Sequence, residues 1–264
     1  MRLLFFFLII MSSTLYSQIN NTLMSEFEVI YRLKSSRDTL SKNNNIEEDL
    51  SLLINGNKSL FKSTQKAISD SIAVAVGNKS FDNPVNGKVV IDMRTVPIVK
   101  FKSEVFSDNG KQTVYKVLLK NNFSYLLEDP IEWKIHDETK TITSYLCRKA
   151  TGKYKNRNYI VWFTEAIPIP DGPYVFKGLP GLVVEVYDTL DYNHFSMISF
   201  KKVEKPIILM KDVFSTKYST FFETRKNFLD NPAAILSNQT NINLSSSAVS
   251  KINTNSKYFN NYID

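Results

Sequence analysis

Residue types able to do polar chemistry are sparse in this chain: 264 residues hold two histidines, His136 and His194, and one cysteine, Cys147. Asp188, Asp191 and His194 form an Asp-x-x-Asp-x-x-His array, whose oxygens and imidazole nitrogen could ligate a cation. Asp and Asn also crowd turns because their side chains cap local backbone groups, and that explains the array without a metal. Glu165 precedes the second carboxylate, Asp171, and glycoside hydrolysis needs two carboxyl groups facing each other across a sugar. A Cys147–His136 pair would supply a nucleophile and its base. The cysteine lies in apolar Tyr145-Leu146-Cys147, ahead of Arg148 and Lys149, which suits a buried, inert thiol. There is no Gly-x-Ser-x-Gly elbow, phosphate-binding loop or dinucleotide fingerprint. No catalytic set, metal site or cofactor is expected, and a hydrolase built on Glu165, Asp171 or His194 is the enzymatic alternative.

The elements that must position these groups read as antiparallel β. Phe27, Val29, Tyr31 and Leu33 alternate with Glu28, Ile30 and Arg32, the pattern of a strand with one solvated face. Leu50–Ile54 and Ser59–Phe61 flank Asn55-Gly56, a dipeptide that favours the positive φ angles of a type I′ hairpin turn. A second hairpin is expected around Asp108-Asn109-Gly110, between 99–106 and 113–119. A third pairs 131–135 with 141–149 around the polar Asp137–Lys140. Tyr159–Phe163 is a strand that must end at Pro168, Pro170 and Pro173, which cannot donate ladder hydrogen bonds. Residues 182–187 and 195–203 form the last strong hairpin. Apolar spacing predicts helices over about 63–75 and 216–229, with Asp230-Asn231-Pro232 stopping the second.

The N-terminus reads as a secretory signal. Arg2 precedes the apolar run Leu3–Met11, and the polar stretch Ser12–Gln18 follows. Cleavage is expected after Ser17, and the apolar run is shorter than the roughly 20 residues that span a bilayer. Residues 18–236 are then a single β-rich domain. Residues 237–264, dominated by Asn, Ser and Thr, are expected to form a partly disordered tail, since they offer little apolar surface against the entropy of ordering. No cysteine follows the signal to carry a lipid, and one cysteine makes no intramolecular disulfide. The net charge is +7, but the lysines are dispersed, which together with export excludes a nucleic-acid partner. The expected location is the periplasm, the outer-membrane periphery or the extracellular side, with no transmembrane segment after cleavage.

Residues 145–187 are the most distinctive stretch. They contain Cys147-Arg148-Lys149-Ala150, then Trp162-Phe163-Thr164, then a loop from Ile167-Pro168 to Gly172-Pro173, and finally Gly178-Leu179-Pro180-Gly181-Leu182-Val183. In order and approximate spacing these elements resemble the GLPGLI family of Bacteroidetes, with Val for Ile in the last motif position. Tyr31, Ser59–Phe61 and Trp133 extend a weaker similarity over most of the mature chain. The resemblance implies an exported protein, and it brings neither an activity nor a catalytic residue set.

Two roles are open for this segment. The glycines bracket Leu179-Pro180 and suit a tight turn with φ > 0, so the segment can be a structural crossover delivering a strand to the sheet. It can also be the rigid rim of a groove, with Trp162, Phe163, Tyr174 and Phe176 as ligand-binding aromatics. Aromatics in β-proteins are mostly core, which favours the first. The expected fold is mainly β (α+β), a curved antiparallel sheet or open barrel with one or two helices. The expected function is a non-enzymatic binding or accessory protein of the cell envelope, whose partner is an apolar or peptide-like ligand or an envelope protein. A structural or assembly partner of an outer-membrane complex, docked through the tail, is a further alternative.

Overall fold

The computed structural model describes residues 22–84, 86–240, 243–257 and 260–263; the expected signal segment and its cleavage point lie outside the described residues. The first three strands, β1 (Phe27–Asp38), β2 (Ser41–Asn55) and β3 (Lys58–Ser63), form a meander. Helix α1 (Gln65–Asp82) and a 3₁₀ turn at Met93–Thr95 interrupt the sheet before β4 (Glu104–Asp108), β5 (Lys111–Leu118) and β6 (Asn121–Leu126). Next come β7 (Lys134–Ile142), β8 (Tyr145–Tyr154), β9 (Arg157–Thr164), β10 (Leu182–Asp188) and β11 (Asn193–Lys202). A short β12 (Val213–Ser215) leads into α2 (Tyr218–Asp230), α3 (Pro232–Thr240) and α4 (Ser246–Ser256). The strands make one open sheet in the order β12-β6-β5-β4-β3-β2-β1-β11-β10-β9-β8-β7. Every pairing is antiparallel except β12 with β6. The fold is therefore mainly β, and the sheet does not close into a barrel.

Two hairpin turns follow from their glycines. Gly56 has φ 52°, and Asn109 and Gly110 have φ 51° and 80°, the left-handed backbone whose twist matches the flanking strands. The third turn is displaced from its expected position. Asp137–Lys140 lies within β7, which bulges between Ile135 and Thr139 and turns instead at Thr143 (φ 48°) and Ser144 (φ 72°). β7 is an edge strand and is exposed along most of its length. Its polar sequence therefore imitates a turn, while the real turn lacks the usual Asn or Gly.

The helices also differ from expectation in their extent. α1 runs seven residues beyond the expected Ala75 and buries none of its side chains. α2 stops as Asn231 leaves the helical region, and Pro232 then opens α3, because a proline at the first helical position gives up no bonded N–H. Some described residues of the Asn-rich tail make polar contacts. Ser245 caps α4 by accepting from the Ala248 N–H. Asn260 accepts from the Thr39 N–H at 2.8 Å and donates to Asp38 Oδ1 at 2.7 Å.

One face of the sheet, called inner here, carries the main core. Val29, Tyr31 and Leu33 on β1, Leu50, Leu52 and Ile54 on β2, and Val161 and Phe163 on β9 are all essentially inaccessible. A smaller cluster of Leu53, Leu60 and Ile207 lies apart from it. There Glu28 is buried against Lys205 and Ser51, both at 2.8 Å.

Candidate ligand cavity

The segment between β9 and β10 is packed into the inner face. Tyr174, Val175, Phe176 and Leu179 are at most 1% exposed. Phe176 meets Tyr159 at 4.5 Å and Phe195 at 6.0 Å between ring centroids, and Tyr174 meets Phe101 at 5.9 Å. Backbone bonds fold the segment on itself: the Gly178 N–H donates to Pro170 O, Leu182 to Ile167 O and Val183 to Asp171 O. Both motif glycines have positive φ, 88° at Gly178 and 152° at Gly181. A side chain at Gly181 would also collide with the carbonyl oxygen of Thr164. Lys177, though buried, donates to Ser59 Oγ at 2.9 Å and pairs with Asp171. Trp133 Nε1 donates to Lys177 O at 2.8 Å while its ring lies against Gly152. Burial first, and the nearby Asp171 second, push the Tyr31 phenol well above its ordinary range. Tyr31 thus stays protonated and donates to Val183 O at 2.6 Å.

All four aromatics singled out from the sequence are buried, and the pleat divides them. All four belong to one core cluster, in which Phe163, Tyr174 and Phe176 fill the inner face. Trp162, adjacent to Phe163 on β9, points to the opposite face. There it is 7% exposed and lies beneath the Lys140 ammonium, 4.6 Å from the ring centroid.

The candidate polar groups fall into separate ion pairs. Glu165 pairs with Arg148 at 2.9 Å, and Asp171 with Lys177. His194 bonds Glu185 through Nε2 at 3.1 Å and Asp191 through Nδ1 at 3.2 Å. Glu185 also takes Lys140 at 2.7 Å. Asp188 is turned away from this cluster. Its oxygens accept from the N–H groups of Leu190, Tyr192 and Asn193, the capping role that acidic residues play in turns. Among the described residues no group of three or more His, Cys, Asp or Glu side chains is placed to hold a metal ion. Burial pushes the Cys147 thiol up to about 11, and His136 Nε2 is 2.8 Å from Thr151 Oγ1.

Beside this filled core the inner face leaves a cavity of about 480 Å³. Leu33 and Ser35 of β1, Lys116 and Leu118 of β5, and Asn193 of β11 line the sheet side. The strap 98–103, helix α2 through Phe221, Arg225 and Phe228, and residues 261–263 close around it. Glu48 anchors the strap: its Oε2 accepts from the N–H groups of Lys100 at 2.7 Å and Phe101 at 2.9 Å, and its other oxygen bonds Ser63. None of the four predicted aromatics lines the cavity, although Tyr174 backs it through Phe101 and lies under the Lys116 ammonium. Sequence reasoning passed over Lys116 and Arg225. The available signal was a misplaced charge: Lys116 falls in phase with Val114 and Leu118, and Arg225 lies between Phe221 and Phe228 on an apolar helical stripe.

Comparison with known proteins adds a family and a structure. Residues 153–185 match a family described as "Protein of unknown function (Porph_ging)". That family has no stated function. The match spans β9, the segment that folds into the inner face, and the start of β10. No curated protein matches. Among solved structures the chain is similar to PNGF-II in its P21 crystal form, at 14% identity and a TM-score of 0.49. It is similar to the C2 form at 16% identity and 0.48. Each alignment covers 75% of this chain and 32% of the other, so this chain spans about a third of that protein's length.

Proposed function

We propose that the chain is an exported, non-enzymatic binding or accessory protein of the cell envelope, and that an apolar or peptide-like ligand occupies the cavity beside the core. The observation that carries this reading is the cavity itself. Its volume of about 480 Å³ falls in the range of small-molecule sites, which are concave, mostly apolar and fitted with a few placed polar groups. Dispersion of His194, Glu165 and Asp171 into separate ion pairs supports a binding role over hydrolysis. Export is supported by the Arg2–Gln18 pattern, and no helix among the described residues is long and apolar enough to cross a membrane. Membership of the GLPGLI family is supported by the overlap of segment 145–187 with the matched residues 153–185.

The test uses N-phenylnaphthylamine, a neutral dye that fluoresces in apolar surroundings. The purified chain should enhance its emission, and Leu118→Trp, which fills the cavity, should abolish the enhancement while leaving the circular dichroism spectrum unchanged. An unresponsive wild-type chain, or a Leu118→Trp variant that responds as the wild type does, rejects the cavity as the ligand site.

A further inference from the structure

We propose that residues 260–263 are a gate on the cavity: Asn260 and Asn261 latch the segment to the end of β1, and ligand passes when that latch opens. This rests on reading the cavity as a ligand site and adds how entry to it is controlled.

The latch begins where the sheet stops pairing. The β1–β11 ladder ends at Ser35 opposite Asn193, and the β1–β2 register shifts between Ser36 and Asp38. There the C-terminal segment supplies partners to β1. Arg37 O accepts from the N–H groups of Asn260 and Asn261, both at 3.2 Å, and Ser36 O accepts from Asn261 Nδ2. Side chains complete the hold. Asn260 Oδ1 accepts from the Thr39 N–H at 2.8 Å and from its hydroxyl at 2.9 Å, while Asn260 Nδ2 donates to Asp38 Oδ1. Asn261 Oδ1 accepts from Arg157 Nη2. Asparagine suits both positions because one side chain donates and accepts at once.

The same segment is part of the cavity wall. Asn261, Tyr262 and Ile263 line the cavity, and Ile263 packs against the main core. The Tyr262 ring lies 4.4 Å from the Arg225 guanidinium of α2, so the segment joins the end of β1 to that helix.

A contrast in anchoring separates this part of the wall from the rest. The strap 98–103 is fixed by the buried Glu48 carboxylate and by Phe101, whose ring sits among core aromatics. Helix α2 buries Phe221. Asn260 is exposed and 261–263 are only half-buried, and α4, the nearest preceding element, buries none of its side chains. Hydrogen bonds rather than apolar burial therefore hold the segment. Each contributes little net of the water it replaces, so local opening here costs far less than unfolding the core.

The experiment times the entry of N-phenylnaphthylamine by stopped-flow fluorescence. In Asn260→Ala/Asn261→Ala, a full-length variant, entry and exit should both be at least about tenfold faster than in the wild type, equivalent to about 1.4 kcal/mol. Thr39→Cys/Asn260→Cys places a reversible lock where the two side chains touch. Its oxidised form should admit dye at least about tenfold more slowly than its reduced form, by the same conversion. Cys147 is buried with its thiol pushed up to about 11, and so stays out of the exchange. Entry at the wild-type rate in the alanine variant overturns the gate while the cavity survives as a site. Equal rates for the oxidised and reduced cysteine pair do the same. Dye bound by neither the wild-type chain nor the variants removes both this inference and the function on which it rests.

Discussion

At the residue scale, the groups that looked most like chemistry are engaged in local electrostatics. His194 illustrates this, held above its ordinary value of 6.5 first by the Glu185 hydrogen bond, against the opposing effect of burial. Glu185 is held below its ordinary 4.5, again with the His194 bond as the leading cause. The two shifts act on stability in opposite directions. The histidine contribution is fully present below its unfolded pKa and is lost as pH rises through the folded value. The carboxylate contribution is present above its unfolded pKa and is lost as pH falls through the folded one. The pair therefore stabilises most between those limits. Thermal melts should show His194→Ala costing more stability near pH ~5.5 than at about pH 8.5; an equal cost at both would show that protonated His194 has no role. The chemistry of these residues was legible in sequence, but their partners were not. Glu185 reaches His194 across the β10–β11 ladder, and Lys140 reaches Glu185 from the edge strand β7.

At the element scale, the segment from Pro168 to Gly181 behaves as an inserted plug. Its prolines keep it out of the sheet, and its aromatics fill the inner face. The two motif glycines serve different ends. Gly178 needs left-handed backbone but has open space around its Cα, whereas Gly181 has both a positive φ and the Thr164 carbonyl in contact range. Gly178→Ala should cost about 1–2 kcal/mol from backbone strain alone. Gly181→Ala should cost about 3 kcal/mol or more, because a collision with backbone adds to the strain. Urea denaturation of the two variants measures the difference, and equal losses would contradict the packing described here. The tight turn was readable from Gly-Leu-Pro-Gly, since φ preference is local. The direction in which the turn drives Tyr174 and Phe176 was not, because it depends on β3, β9 and β11 arriving from elsewhere in the chain.

At the scale of the molecule, one core joins strands from both halves of the sheet. Phe61 of β3, Phe195 of β11, Phe101 of the strap and Tyr174 of the plug meet ring to ring at 5.9–6.3 Å. Phe176 touches Tyr154, Tyr159 and Phe195 in the same cluster. A core shared this widely unfolds as a unit. Phe176→Ala should therefore lower stability by about 3–5 kcal/mol within a single transition, with near- and far-ultraviolet circular dichroism melting together. Separate transitions would show that plug and sheet are independent units. The cavity is also a property of this scale, because its lining comes from three strands, the strap, α2 and residues 261–263.

The sequence by itself determined the class of the fold. Period-two alternation, Asn-Gly turns and ladder-breaking prolines act over a few residues, and they set most strands, three of the hairpins and the helical span of α2. It also marked segment 145–187 as distinctive. Tertiary structure alone decided what the segment does: it buries Tyr174 and Phe176 in the core, turns Trp162 to the other face and leaves the open volume next to Lys116 and Arg225. The physical reason is range. Backbone preference and alternation are properties of neighbouring residues, whereas a cavity exists only where surfaces remote in the chain meet without filling the space between them.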